Sequence, residues 1–499
     1  MARPGTLSLL GLCVALTWAC RHAQPGGDEP APSSKTRAGV TSGWHHEVTL
    51  DAALTRLDVH LCFQGDAPAR LTADFTEALE FLAEARDSSG EPLTIDREAR
   101  TIELTGLGSD ACLDYQVDVA ALVEDGPARQ VGRAGDAVLL AIGLWLWRPV
   151  VIPDDVDGTL EFKLAAGHRA STPWPEVAGK PGVYAVPMTT YRWRSQVVIG
   201  DLEVQQIDAA GARFSAVVLD RPRALTDAGL ARWISAAAET VALLYGSFPV
   251  TEAQIIVIPT GGGGGGDPVR FGLASRGGGP CATFLIAGDA EDDAFLGEWV
   301  AIHEFLHLGM PFVRTHDAWL SEGFVTYYTS VLRTRAGFRG EQEAWDAILD
   351  GFRRGRTQAT DLTVGEASVQ MHDRYAFLRV YWGGAAIALL ADVAVRTASK
   401  GARSLDGAMR HLHDCCASSP RRWSADETLR ELDAWVGATT LQDLARRELE
   451  RPGFVDLTPA LSALGVQDTE AGAVLSGDPA ATDLRQALLG TGRTGAKAP

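Results

Sequence analysis

After its first twenty residues the 499-residue chain has no stretch that reads as both long and apolar enough to cross a membrane. Positive charge is also in deficit. With 45 Lys and Arg against 64 Asp and Glu, the formal net charge is -19, which offers nucleic acid or an anionic membrane no favourable field. Cysteine is sparse, seven in all. The five that follow the leader, Cys62, Cys112, Cys281, Cys415 and Cys416, match no zinc-thiolate spacing and read as structural. No internal repeat is present, and no sequence feature sets an oligomeric state.

The rest is an ordinary globular composition, 46% apolar and 22% charged, long enough for roughly two to four domains with substantial cores. Residues 1–20 are set apart: Arg3 precedes the apolar run TLSLLGLCVALTW, and Ala19-Cys20 marks a cleavage point. Export is therefore expected, to the periplasm or beyond it. Cys20 is a candidate lipid anchor on the outer membrane, with ordinary signal cleavage the alternative. Residues 21–43, rich in Pro, Gly and Ser, read as a tether. Export permits disulfides; Cys62 and Cys112 are the pair expected first, whereas adjacent Cys415 and Cys416 are not expected to bond to each other without strain.

From 44 to 190 the alternation in HEVTLDAALTRLDVHLCF, REARTIELTGL, LDYQVDVAALV and DGTLEFKLAAG predicts half-buried strands, an accessory β-sandwich. An amphipathic helix follows in RALTDAGLARWISAAAETVALLYG, then the strand AQIIVIPT. The six glycines Gly261 to Gly266 read as a loop, and without a terminal Lys-Ser/Thr they are no phosphate-binding loop. From 291 to about 450 the period is helical, with loops expected near 351–372 and 417–425. The last thirty residues read as a loose tail.

Chemistry concentrates in AIHEFLHLGMPFVRTHDAWLSEGF, residues 301–324. His303 and His307 lie four apart, so on a helix both imidazoles face one ion, while Phe295, Trp299, Ile302 and Leu306 supply another face to bury. A catalytic zinc ion needs three protein ligands and an open position. Glu322 is favoured as the third, with His316 the competitor. Glu304, beside the first ligand but not bound to the metal, is placed as the general base that takes a proton from water and returns it to the leaving amine. The bland alternative is that these are polar residues satisfied by their neighbours. Candidates to steady the oxyanion are Tyr327, Tyr328, His372, Tyr375 and Tyr381.

HEFLH followed by WLSEGFVTYY resembles the gluzincin aminopeptidase (aminopeptidase N) superfamily, in which an HExxH pair is completed by a Glu in a Trp-Leu-x-Glu-Gly segment. The nearer likeness is to the glycyl aminopeptidases, through RVYWGGAAIALLADVAVRTASKGARSLDGAMRHL (379–412) and PDDVDGTLEFKLAAGHRASTPW (153–174). The resemblance covers roughly residues 45–466. It implies zinc on His303, His307 and Glu322, Glu304 as base, and Tyr381, on the Tyr of a Tyr-x-Lys-Gly motif, as oxyanion donor. Gly383 stands where that motif has Lys. The segment GDPVRFGLASRGG offers Arg270 and Arg276 where the family carries a Glu for the substrate's free amine, which opposes aminopeptidase specificity. A PDZ domain is not expected in the 33 residues after 466.

The expected fold is multidomain α+β: signal peptide 1–20, linker 21–43, β-sandwich 44–190, thermolysin-like zinc peptidase catalytic domain 191–395, helical region 396–466 and tail 467–499. The expected function is an exported zinc metallopeptidase acting on a peptide or protein substrate, with cleavage from the amino end, as an aminopeptidase, and cleavage inside the chain both open. The alternatives are a catalytically silent peptide-binding scaffold of the same fold and a zinc hydrolase acting on a non-peptide amide or epoxide.

Overall fold

The computed structural model describes residues 43–490 apart from 128–129, 153–156, 188–189, 191–194, 223, 262–265 and 420. The leader with Cys20, the tether before Gly43 and most of the six-glycine run lie outside the described residues. The architecture is mixed α+β: sheets dominate the N-terminal part, a metal-type His/Glu cluster lies in the middle, and helices form the C-terminal part.

The N-terminal region contains a six-stranded sheet and two four-stranded sheets. Strict alternation makes Gly43–Leu50 and Arg56–Gln64 strands with every second side chain buried. They pair antiparallel, and Arg56–Gln64 pairs in turn with Cys112–Asp118, directly opposing Cys62 and Cys112. The Cys62–Cys112 disulfide is formed. Alternation in LDYQVDVAALV stops at Asp118, whose carboxylate accepts from Ala121 N at 2.9 Å and starts a short helix, Val119–Asp125, instead of extending the strand. Gln196–Gly200, beyond the expected sandwich boundary, pairs with Ala137–Ala141. A small apolar core of Leu139, Val198, Val217 and Ile256 joins these strands to the sheet that follows.

That second sheet carries the site. Its strands are β1 (Val204–Ala209), β2 (Ala212–Val218), β3 (Glu252–Thr260), β4 (Val269–Ser275) and β5 (Cys281–Ala287), in the order β1-β2-β3-β5-β4. β2, β3 and β5 run parallel, and β4 is an antiparallel edge strand. Helix α1 (Asp227–Tyr245) is capped by Thr226 and closed by left-handed Gly246. Then follow α2 (Trp299–His307), α3 (Ala318–Arg335), α4 (Glu341–Thr357), α5 (Val364–Val369), α6 (Phe377–Ala398), α7 (Leu405–Cys416), α8 (Ala425–Val436), α9 (Thr440–Leu449) and α10 (Thr458–Leu464). One apolar core runs through the sheet and these helices.

Four expectations need correction. Helix α6, 22 residues at a mean hydropathy of 1.5, is by length and composition apolar enough to cross a membrane; it is the central helix of the bundle, with 78% of its most apolar window buried. Charged groups interrupt it at Arg379, Asp392 and Arg396, which is why the chain did not read as a span. The loop expected over 351–372 is largely helical, because Trp345, Ile348, Leu349 and Phe352 give α4 a buried stripe reaching Thr357. The tail holds a hairpin, β6 (Val466–Thr469) and β7 (Gly472–Leu475), and α11 (Pro479–Leu489), anchored where buried Arg485 bonds Glu341 and the Leu464 carbonyl. Finally, Cys415 and Cys416 are joined by a disulfide.

Candidate metal centre

Helix α2 begins at Glu298, whose carboxylate accepts from the Val300 and Ala301 amides. Burial raises the Glu298 carboxyl to about 7, against the pull of those two bonds. Phe295, Ile302, Phe305 and Leu306 fix the helix in the core. Trp299, expected on that buried face, is instead 41% exposed. It lies one turn before His303, on the histidine side, and its ring meets His303 edge-on at 5.9 Å.

Helix α3 returns past α2 after a turn at Thr315–Asp317, where the His316 carbonyl accepts from Ser368. Its direction is set by a close crossing with α6. Gly323 and Gly384 face each other there, and a Cβ on Gly383 would come within 2.8 Å of Val364. Glu322, next to the crossing, thereby meets both histidines: its Oε2 is 3.3 Å from His303 Nε2 and 3.3 Å from His307 Nε2.

His303 and His307 are buried and Glu322 is partly so. Burial would raise the Glu322 carboxyl, but the two imidazoles outweigh it and hold the group well below the usual carboxylate range. Burial would lower His303, yet its bond to Glu322 and the charges of Glu304, Glu322 and Glu298 leave it raised. Two imidazole nitrogens and a carboxylate oxygen, all within 4.8 Å of one another, form a donor set that suits Zn2+. His303, His307 and Glu322 reproduce the HExxH-plus-downstream-Glu arrangement of a gluzincin zinc site.

Two solved structures share the architecture. One is an aminopeptidase N family protein from Idiomarina loihiensis, with a TM-score of 0.66 and 18% identity over 85% of this chain and 78% of that one. The other is an M1 zinc metallopeptidase from Deinococcus radiodurans, with a TM-score of 0.53 and 16% identity over 84% of this chain and 95% of that one. The chain shares the fold of these two structures. No protein-family model matches the chain, and no curated protein sequence matches it.

Around the His303–His307–Glu322 cluster the other candidates separate clearly. Glu304 is half-buried against β4, where its Oε2 accepts from Ala274 N at 2.9 Å; desolvation raises its carboxyl, and the two histidines pull the other way. β4 passes so close that a Cβ on Gly272 would stand 2.5 Å from Glu304 Cγ and 2.6 Å from Val300 Cγ1. Tyr381, near the start of α6, stacks on His303 with ring centroids 6.0 Å apart. His303 Nδ1 has no hydrogen-bond partner among the described residues, so packing between Trp299 and Tyr381 orients the ring.

Tyr327 and Tyr328 face away from the metal ligands. The Tyr327 hydroxyl donates to Asp392 at 2.8 Å and that of Tyr328 to Asp406 at 3.1 Å, in a buried network with Arg396 and Arg335. Asp406 is thus structural. Tyr375 has a left-handed backbone and is exposed. His372 lies close enough to feel the Glu322 charge, while burial lowers its basicity. His316 is exposed and outside the ligand cluster, which removes it as the competing ligand.

Arg270 is exposed, but Arg276 turns inward: it donates to the His307 carbonyl and sits 5.2 Å over the Phe312 ring. Burial lowers its guanidinium to about 10, opposed by Glu322, Tyr245 and Glu304. Sequence reasoning did not anticipate the Ala274–Glu304 bond, the inward turn of Arg276 or the Gly323–Gly384 crossing. Only the paired glycines beside Glu322 and Tyr381 carried a signal of close approach.

Proposed function

We propose that this protein is an exported zinc metallopeptidase in which Glu304 is the general base and Tyr381 the oxyanion donor. The observation that carries the reading is the convergence of His303, His307 and Glu322 with the Glu304 carboxylate held alongside them. Bound zinc would supply Lewis acidity, making a water molecule more acidic and polarising the scissile carbonyl. Glu304 accepts the proton of the attacking water and hands it to the leaving amine. Its half-buried setting favours the protonated form it must pass through. The amide of Ala274 holds one Glu304 oxygen and leaves the other for that proton. Tyr381, stacked on His303, donates to the oxyanion.

The aminopeptidase and glycyl aminopeptidase readings are the finer part of this proposal, and Arg276 bears on them. Its positive charge, half-buried beside the same carboxylates, disfavours a substrate α-ammonium, so we place the scissile bond inside chains or behind blocked amino ends. Export rests on residues 1–20, with Cys20 as the lipid-bearing alternative.

The test is zinc stoichiometry together with hydrolysis of a mixed peptide library by the wild type and Glu304→Gln. One zinc per chain in both proteins, with turnover confined to the wild type, is expected, and the new termini locate the cut. A wild type that holds zinc and cuts nothing would instead indicate the peptide-binding reading.

A further inference from the structure

The arrangement that makes the first metal centre occurs a second time in the helical region. On α7, His411 and Cys415 lie four positions apart, as His303 and His307 do on α2, so both side chains leave one helix face a turn apart. Glu431, from the adjacent helix α8, plays the part that Glu322 plays from α3. A nitrogen, a sulfur and a carboxylate oxygen from these three residues lie within 4.8 Å of one another. His411 Nε2 and Glu431 Oε2 are 3.9 Å apart. That is too far for a hydrogen bond and close to the roughly 3.3–3.6 Å between two ligands of one tetrahedral zinc.

What closes this position is the bond between Cys415 and Cys416. A disulfide sulfur carries no charge, whereas zinc binds cysteine as the thiolate. Cys415 is exposed and Cys416 is buried, so the sulfur that a reductant reaches is also the one in the ligand cluster.

We propose that reduction of the Cys415–Cys416 disulfide opens a second zinc site on His411, Cys415 and Glu431, with a fourth position left to water. The reductant is a small dithiol. One of its thiolates attacks Cys415 Sγ, and Cys416 leaves as a thiolate that takes up a proton. The second thiol then attacks the mixed disulfide, closes the reagent's own S–S bond and releases Cys415. Two S–H bonds are lost from the dithiol and two appear on the protein, and zinc binding then displaces the Cys415 thiol proton.

The experiment uses the full chain with its first site zinc-loaded, and compares the oxidised wild type with Cys416→Ser. That substitution leaves Cys415 a free thiol without any reductant and keeps Cys62–Cys112 intact. Zn2+ and Co2+ are titrated in. Cys416→Ser should bind one equivalent more than the wild type, with a sulfur-to-cobalt charge-transfer band. Adding His411→Ala or Cys415→Ser should weaken that equivalent by more than about 100-fold, since even outer-shell partners of a metal are worth 10- to 100-fold. The proposal is overturned if Cys416→Ser binds no more metal than the wild type, or if the extra equivalent survives loss of His411. Should Cys416→Ser not fold, phosphine-reduced wild type against equally reduced His411→Ala decides: a difference of one equivalent supports the site, and no difference removes it. Because the comparison counts metal and not turnover, it is independent of the peptidase reading.

Discussion

Gly323 and Gly384 stand face to face where α3 crosses α6: a Cβ on Gly384 would come 2.7 Å from Gly323 Cα and overlap the Trp319 carbonyl oxygen. One residue from this contact Glu322 reaches the histidines, so the crossing sets the position of the third ligand.

Gly384→Ala is accordingly expected to destabilise the fold by about 1–3 kcal/mol through overpacking, although alanine is the better helix former. Zinc retention should fall with it, as α3 is pushed away from α2. Denaturant midpoints and bound zinc check this, and wild-type values for both would remove the crossing as the cause.

Glu322→Gln should leave the fold intact and weaken zinc by more than about 100-fold, because loss of a direct ligand exceeds the 10- to 100-fold cost of an outer-shell partner. Competition with a chelator gives the constant. If His316 were the ligand instead, this variant would bind zinc like the wild type.

Two tyrosine variants should behave oppositely. Tyr381→Phe should lower kcat by about 100-fold or more, the usual cost of one oxyanion donor, with KM and zinc content unchanged. Tyr327→Phe removes a donor from buried Asp392 and should instead cost about 1–3 kcal/mol of stability at near-normal kcat.

His46, fully buried between Leu61 and Leu160 of neighbouring strands, has its pKa lowered from 6.5 to about 4 by burial. Between those values the unfolded chain binds the proton and the folded chain does not. Stability is therefore fully present above about pH 6.5 and is lost as pH falls toward 4, by roughly 3 kcal/mol for this residue. His46→Phe should flatten that part of the stability profile. An unchanged difference between pH 7 and pH 4 would assign the loss to other groups.

Local periodicity made much of this protein legible in the sequence. Helical spacing put His303 and His307 on one face, the shared strand-rich region made Cys62 and Cys112 the first pair expected, and the segment WLSEGF favoured Glu322 before its position was known. These are properties of a few adjacent residues, and the backbone repeats of helix and strand convert them directly into direction. Everything that depended on one element meeting another had to wait for packing. Tyr327 and Tyr328 could be set aside as oxyanion candidates only once they were seen bonded to Asp392 and Asp406. Arg276, a charge in a glycine-rich segment, became a half-buried brace on the His307 carbonyl. The tail read as loose because its few apolar residues find their partners on distant helices. The sequence by itself determined the His303–His307 pair and the helix that carries it; the tertiary structure alone decided that Glu322 and not His316 completes the cluster, because a contact between distant segments depends on where the chain crosses itself and not on the residues beside either one.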